Sequence, residues 1–329
     1  MIHCFFTLYF IFIDFEILFL RFLEILTNGS VIEINYTGTA VTFKPGSILG
    51  GSLNFDCGLE RGISYFLEPV LLFAPFSKFA FKLNLTGLTA HEEDTSIDII
   101  RTVFIKIIGM FGVTDGLDLK ITKIGSPPLG GGEVSFTCPV VSSLQNADLS
   151  DIGRVKRIRG IAAVTRISPQ ASNRLVESCR SVLNTFIPDI YIYSDVYKGP
   201  EAGQSPGFGI SLVAETTTGG LIHSDLIGKA GLTPEEIGRK ASKKLLTEIA
   251  GGGFFSSKSN YFVLILMALT LDNVNKVSLR NLKEEDKVLI TDIKNLLGVS
   301  FRSIHNEENG NYLVSCVGSG YVNFNQRMQ

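Results

Sequence analysis

A helix that stops at a glycine and continues as a β-hairpin recurs three times along this chain. That recurrence limits the folds open to it more than any other feature. The first copy runs through Phe22-Leu23-Glu24-Ile25-Leu26 to a C-cap at Thr27-Asn28-Gly29. It goes on as Val31–Tyr36, the turn Thr37-Gly38-Thr39 and Ala40–Lys44. Val31, Ile32, Ile34 and Tyr36 against Glu33 and Asn35 make a half-buried strand pattern. The second copy opens with the cap cluster Asp94-Thr95-Ser96-Ile97-Asp98, runs as a helix over Ile99–Phe111 and stops at Gly112. Its strands are Leu117–Ile124 and Glu133–Val141. In the third, Glu284–Leu297 carries Leu289, Ile290, Ile293, Leu296 and Leu297 at helical spacing, and Gly298 caps it. Val299–Ile304 and Tyr312–Val317 follow as its hairpin. A helix and a strand precede each of the last two copies: Tyr65–Phe76 with Phe79–Leu85, and Asn260–Thr270 with Lys276–Leu279. The implied unit is βαβαββ, a small sheet covered by two helices, repeated. The fold class is α/β of the α+β kind, in two layers.

Between the second and third copies the rhythm changes. Strand-like Ile158–Ile167, a helix from Pro169 to Thr185, strands Asp189–Val196 and Phe208–Glu215, and a helix opening at Thr233-Pro234-Glu235-Glu236 read as an inserted β-α-β-β-α subdomain. The boundaries that follow are an atypical start over 1–13, a repeated core over 14–154 and 253–329, and an inserted α/β subdomain over 155–252. The apolar run Cys4–Ile13 is too short to span a bilayer before Asp14, Glu16, Arg21 and Glu24 interrupt it, so no membrane role is expected.

A net charge of −2 gives no global basic signature, so any nucleic-acid contact must be local. The cysteines Cys4, Cys57, Cys138, Cys179 and Cys316 form no CxxC, and the four histidines show no ligand spacing. No metal site and no cofactor is expected. Gly125-Ser-Pro-Pro-Leu-Gly-Gly-Gly-Glu-Val134 joins the two strands of the second copy. Gly130, Gly131 and Gly132 allow two readings: a cradle of N–H groups for a phosphate, or a place where backbones cross closely. Arg154-Val-Lys156-Arg157-Ile-Arg159 is the densest basic run. Alternation puts Lys156 on one strand face and Arg157 and Arg159 on the other. They would hold RNA phosphate or an acidic partner, or form an ordinary charged edge strand. Arg239/Lys243 and Lys240/Lys244 share helix faces as a second basic patch or a solvated surface. His91-Glu-Glu-Asp94 reads as an acidic loop before a helix, and His223 with Asp225 as a structural pair on a short strand.

Taken together, Thr27–Thr39, Phe73-Ala-Pro-Phe-Ser-Lys78, Gly125–Val134 and Ser205-Pro-Gly-Phe-Gly-Ile210 resemble the RNA 3′-terminal phosphate cyclase superfamily, over roughly residues 14–325. The likeness is to its cyclase-like, ribosome-assembly branch. It implies repeated βαβαββ units with a smaller inserted domain. True cyclases adenylylate a histidine near the C-terminus, and Lys283–Leu297, the corresponding region, has none. His305 lies beyond it, in what reads as a hairpin loop. The family's glycine-rich first strand and loop are also missing, as if residues 1–13 were a mispredicted start, leaving an apolar edge. In the ribosome-assembly branch an Arg-Asp-x-Lys stretch has been proposed to cleave RNA. Here Thr291 replaces the arginine, leaving Asp292 and Lys294, which do not face each other on a helix. The resemblance therefore implies a non-catalytic nucleolar factor in pre-rRNA processing toward the small-subunit rRNA, partnered by a ribosome-assembly GTPase and pre-rRNA. An endoribonuclease using Asp292 and Lys294 is the alternative, and an ATP-dependent cyclase a weaker one.

Overall fold

The computed structural model describes residues 4–7, 13–229, 231–306 and 310–324. The middle unit is a complete βαβαββ: strand Gly51–Asp56, helix Ile63–Phe73, strand Phe81–Gly87, a helical stretch from Ile97 to Met110, then Asp118–Lys123 and Gly132–Cys138. Its sheet runs in the order Gly51–Asp56, Phe81–Gly87, Gly132–Cys138, Asp118–Lys123. The first pair is parallel and the other two antiparallel. Strict alternation makes this possible: Phe81, Leu83 and Leu85 are buried while Lys82, Asn84 and Thr86 face solvent.

The last unit repeats the plan with Asp148–Leu149, helix Asn260–Ala268, Val274–Leu279, helix Glu284–Leu297, Phe301–Asn306 and Asn311–Val317. Strand order and directions are the same. Gly298, at φ 71°, closes the helix in the left-handed conformation, as its sequence position implies. The first sheet has three strands, Cys4–Thr7, Ala40–Lys44 and Val31–Ile34, which match the last three strands of the other units in order and direction.

Two details of the first unit depart from expectation, and its helix Asp14–Leu26 is only partly buried, with Phe22 and Leu26 alone fully buried. It does not end on a glycine cap. Thr27 is already extended, because Thr27-Asn28 pairs with Ser47-Ile48, and Gly29 (φ 79°) turns the chain afterwards. The hairpin leaves Val31, Ile34 and Tyr36 exposed and buries Val41 on its second strand.

One continuous core runs through all three units. Phe22 packs on Phe55 and Phe66, and Phe104 meets Phe262 edge-on with ring centroids 4.8 Å apart. The Tyr261 hydroxyl, on the helix of Phe262, donates to Glu68 on helix Ile63–Phe73. The insert has its own core, built from Ile158, Leu175, Leu183, Leu212, Ile237 and Leu245 among others. Its sheet runs Ile190–Tyr197, Val155–Thr165, Gly207–Thr216, Leu221–Ile227. Helices Gln170–Leu183 and Pro234–Ala250 cover one face. The topology is β-α-β-β-β-α, the inserted β-α-β-β-α pattern extended by the short strand that carries His223 and Asp225. Leu221–Ile227 carries His223, Ser224 and Asp225 in its centre and so reads as polar, yet it is buried on both sides. Thr233 opens the last helix with a capping box: its Oγ accepts from Glu236 N, and the Glu236 carboxylate accepts from Thr233 N.

Candidate functional site

The uncovered face of the insert sheet meets the middle unit, and the glycine stretch Gly125–Val134 lies along that seam. Backbone does most of the joining. Ile124 N–H donates to Glu201 O (3.0 Å), Gly203 N–H to Ile124 O (2.6 Å) and Gln204 N–H to Gly130 O (2.9 Å). Leu129 N–H donates to Ser205 Oγ at 3.0 Å. Arg166, held at φ 54°, donates its guanidinium to Gly203 O. The loop between Gly199 and Gly207 is therefore laid along the glycine-proline stretch.

This contact explains the glycines. A Cβ on Gly125 would lie 2.2 Å from Gly132 N, and one on Gly203 would lie 2.3 Å from Gly130 O. Gly132 has the Thr89 side chain at 2.7 Å from the same notional atom. Three backbones cross here, which is the second of the two readings open from sequence. Gly130 N–H donates to Ser126 O (3.0 Å), so the triplet does not offer three successive free donors. Gly130 and Gly131 also need positive φ, 62° and 83°.

Next to the seam is a cavity of about 100 Å³ between the core residues Thr89, Ser96, Asp98 and Ser126 and the insert's Thr165 and Ser211. Burial pushes the Asp98 carboxyl up to about 6, against the pull of Arg101, whose guanidinium donates to it at 2.9 Å. Ser96 holds the domains together twice, through N–H to Asp225 Oδ2 (2.7 Å) and through Oγ to Ser211 Oγ (2.9 Å). His223 is buried on the same strand as Asp225, with Nε2 3.0 Å from Ser259 Oγ. Burial pulls its imidazole down to about 4, so it is neutral at physiological pH. Asp225 faces Lys258 at 3.7 Å and Ser96, so these residues fasten the insert to the core.

The basic strand is not an edge. Val155–Thr165 lies between Ile190–Tyr197 and Gly207–Thr216, so the edge-strand reading of this run is corrected. A bulge between Val155 and Arg157 sets Lys156 apart. Arg157 and Arg159 share the uncovered face, as alternation implies, and each has a carboxylate. Arg157 Nε donates to Glu215 at 2.6 Å, and Arg159 Nη1 to Asp189 at 2.8 Å. Lys156 is exposed and has no ion pair among the described residues. On the insert's last helix, Lys244 is partly buried, and its ammonium is pulled down by that burial and by Lys258, while Arg239, Lys240 and Lys243 are exposed.

Asp292 and Lys294 stand exposed on either side of the buried Ile293, away from the seam and its cavity. His305 is not in a loop: it sits on strand Phe301–Asn306, paired with Tyr312, ring centroids 4.8 Å apart. The loop around Asn309 lies outside the described residues. The residues His91 to Asp94 go to separate partners. Asp94 takes a bidentate contact from Arg61 and lies 3.3 Å from His91 Nδ1, and Glu92 pairs with Lys229.

Sequence reasoning missed one surface. On Ile190–Tyr197, Ile192 enters the insert core and Ser194 bonds Ser172, so Tyr191, Tyr193, Asp195 and Tyr197 take the opposite face. The signal was present as a tyrosine at every second position but one. Its meaning depended on knowing which face the helices cover.

Residues 150–250 match the family model described as the RNA 3′-terminal phosphate cyclase (RTC) insert domain. Over nearly its whole length the chain is similar to curated proteins. It is 47% identical over 320 residues to the "rRNA processing protein rcl1" of Schizosaccharomyces pombe, covering 96% of this chain and 88% of that protein. It is 43% identical over 328 residues to the "RNA 3′-terminal phosphate cyclase-like protein" of Mus musculus and 42% over 329 to that of Homo sapiens, with the same coverage. The chain belongs to the RNA 3′-terminal phosphate cyclase-like family.

Proposed function

We propose that this protein takes part in the processing of precursor rRNA as a non-catalytic scaffold. One observation carries the reading. The repeated core and the docked insert are retained, while helix Glu284–Leu297, the region that supplies the nucleophile in true cyclases, has no histidine. The printed name of the fission yeast relative supports the process. We take the setting to be the nucleolus and the product to be the small-subunit rRNA, with a ribosome-assembly GTPase as the protein partner. No helix among the described residues is long and apolar enough to cross a membrane. Gly130–Gly132 serve in this reading as a domain seam, and the basic residues Lys156, Arg157 and Arg159 as the side turned to RNA.

Two measurements test it. Purified protein mixed with the purified GTPase is expected to elute as one complex, and separate elution overturns the partner. In cells depleted of the native protein, precursors of the small-subunit rRNA are expected to accumulate. Both the wild type and the Asp292→Ala/Lys294→Ala variant should clear them. Failure of that variant, with its fold and GTPase binding intact, would move the reading to an endoribonuclease.

A further inference from the structure

We infer that the uncovered face of the insert sheet is a stacking platform for single-stranded RNA, centred on Tyr191 and Tyr193. The idea rests on the rRNA-processing reading for the class of ligand and on the following geometry for its place.

The helices Gln170–Leu183 and Pro234–Ala250 cover one side of the sheet. The middle unit covers the other side over Gly207–Thr216 and Leu221–Ile227, faces Ile161, Ala163 and Thr165 of the central strand, and reaches the Asp195–Tyr197 end of the edge strand. At its Tyr191–Tyr193 end the edge strand Ile190–Tyr197 projects past that contact. Two large aromatic side chains are left in solvent there: Tyr191 is 57% exposed and Tyr193 53%. Among the described residues neither ring stacks on another aromatic. They stand two residues apart on one strand face, about 7 Å, a spacing suited to consecutive unstacked bases. Bases stack on such rings with little regard to sequence.

The charge beside the rings has the sign a phosphate chain needs. Lys156, Arg157 and Arg159 all act on the single carboxylate of Asp189, holding it below its ordinary range, Arg159 most strongly. Arg157 is paired with Glu215 and Arg159 with Asp189, so Lys156, without an ion pair among the described residues, gives the start of the tyrosine strand its surplus positive charge. The Arg159–Asp189 pair is itself open to solvent, with side chains 35% and 54% exposed. Such a pair holds weakly, and a phosphate can take the place of Asp189. At the far end of the strand Lys198 is exposed. The platform so reads as a cationic end and two rings, with Asp195, which accepts from the Tyr197 hydroxyl, and then Lys198 beyond them. An acidic protein surface would use the cations but would have no need of two bare rings in series.

The test uses the full chain and a short labelled oligouridine at fixed salt, read by fluorescence anisotropy. Tyr191→Ala and Tyr193→Ala are each expected to weaken binding roughly 5- to 100-fold. The double Tyr→Phe variant should keep near-wild-type affinity, since stacking needs the ring and not the hydroxyl. Lys156→Ala should lower the salt dependence by about one phosphate contact. Duplex RNA of the same length should compete poorly. The inference is overturned if the wild type does not bind the oligonucleotide, if the double alanine variant binds like the wild type, or if duplex competes as well as single strand. It is also overturned if the double alanine variant keeps RNA binding and instead loses the GTPase, which would make this face a protein interface. Pre-rRNA processing is scored separately in cells, so the scaffold reading and the platform fail independently.

Discussion

Replacing Gly125 by alanine should damage the seam where the insert is laid on the core, and the structure sets the size of the effect. Gly125 does not sit at positive φ, so its backbone accepts an L residue and any cost is steric. The added Cβ would fall 2.2 Å from Gly132 N, 2.5 Å from Gly87 O and 2.8 Å from Gly132 Cα. These are backbone atoms of two neighbouring strands, with no flexible side chain to swing aside. Restoring ordinary contact, which begins at 3.4 Å, requires a movement of about 1 Å. The bonds that fix this point would stretch with it: Thr89 N–H to Gly125 O at 2.9 Å, and the two contacts of Thr89 Oγ1 with Gly125 at 3.1 Å. Each such bond is worth about 1 kcal/mol and overpacking adds about 1–3 kcal/mol. Gly125→Ala is therefore expected to lose about 3 kcal/mol. Denaturant unfolding should show this as a lower midpoint at unchanged slope. Gly109→Ala serves as the control, because a Cβ there meets only Thr114 Cγ2, at 4.0 Å. A Gly125→Ala protein as stable as the wild type would refute the close-approach account and return the triplet to the phosphate-cradle reading.

Two further outcomes follow from the same physics. His223 stays neutral in the folded protein down to about pH 4, while the unfolded chain takes up its proton near 6.5. The stability it contributes is complete above pH 6.5 and is lost as pH falls toward 4. Asp98, held up at about 6, and Glu68, at about 7, act in the opposite sense, losing stability as pH rises through those values. Comparing wild type with His223→Gln isolates the histidine: between pH 7 and pH 5 the wild type should lose about 2 kcal/mol more than the variant. Parallel curves would refute the assignment. Thr233→Ala removes the Oγ acceptor for Glu236 N, the hydroxyl half of the capping box, and the hydroxyl donor to the Glu236 carboxylate, at an expected cost of about 1 kcal/mol in the same unfolding assay. A neutral result would show that the helix start is fixed by its packing alone.

Local signals wrote most of the architecture into the sequence. Lys283-Glu-Glu-Asp at one end and Gly298 at the other bracket the helix Glu284–Leu297, and the structure has it between those residues. Ser96 was legible as a cap because a short acceptor side chain before an apolar run has few other uses, and its Oγ accepts from Ile99 N. The parts that were not legible depend on what a segment meets. The glycine stretch joins domains through backbone donors and acceptors, which every residue carries and no sequence advertises. The strand through His223 and Asp225 was legible but its burial was not, because its polar groups are partnered from outside the strand, by Ser256, Ser259 and Ser96. His305 read as loop because the asparagine and glutamate residues around it masked a strand that pairs through its backbone. The exposed tyrosines could be assigned a face only once the helices were seen to occupy the other one.

The insert also has a bearing on how the chain is made. Strand Asp148–Leu149 pairs with Lys276–Val277, and the whole insert lies between the two partners in sequence. During synthesis the first strand of the last unit must wait for its neighbour. A chain that long would be slow to close as a free loop, since its ends must find each other by diffusion. A folded insert alters this. Residues 150–154 at its entry and Ile249, Ala250 and Gly252 at its exit line one groove, so its two ends emerge side by side. Once the insert has its own core, it returns the chain to the place it left, and the last sheet forms as if the two strands were joined by a short connection. The insert is in that sense a clasp, holding side by side the two lengths of chain from which the final unit is built.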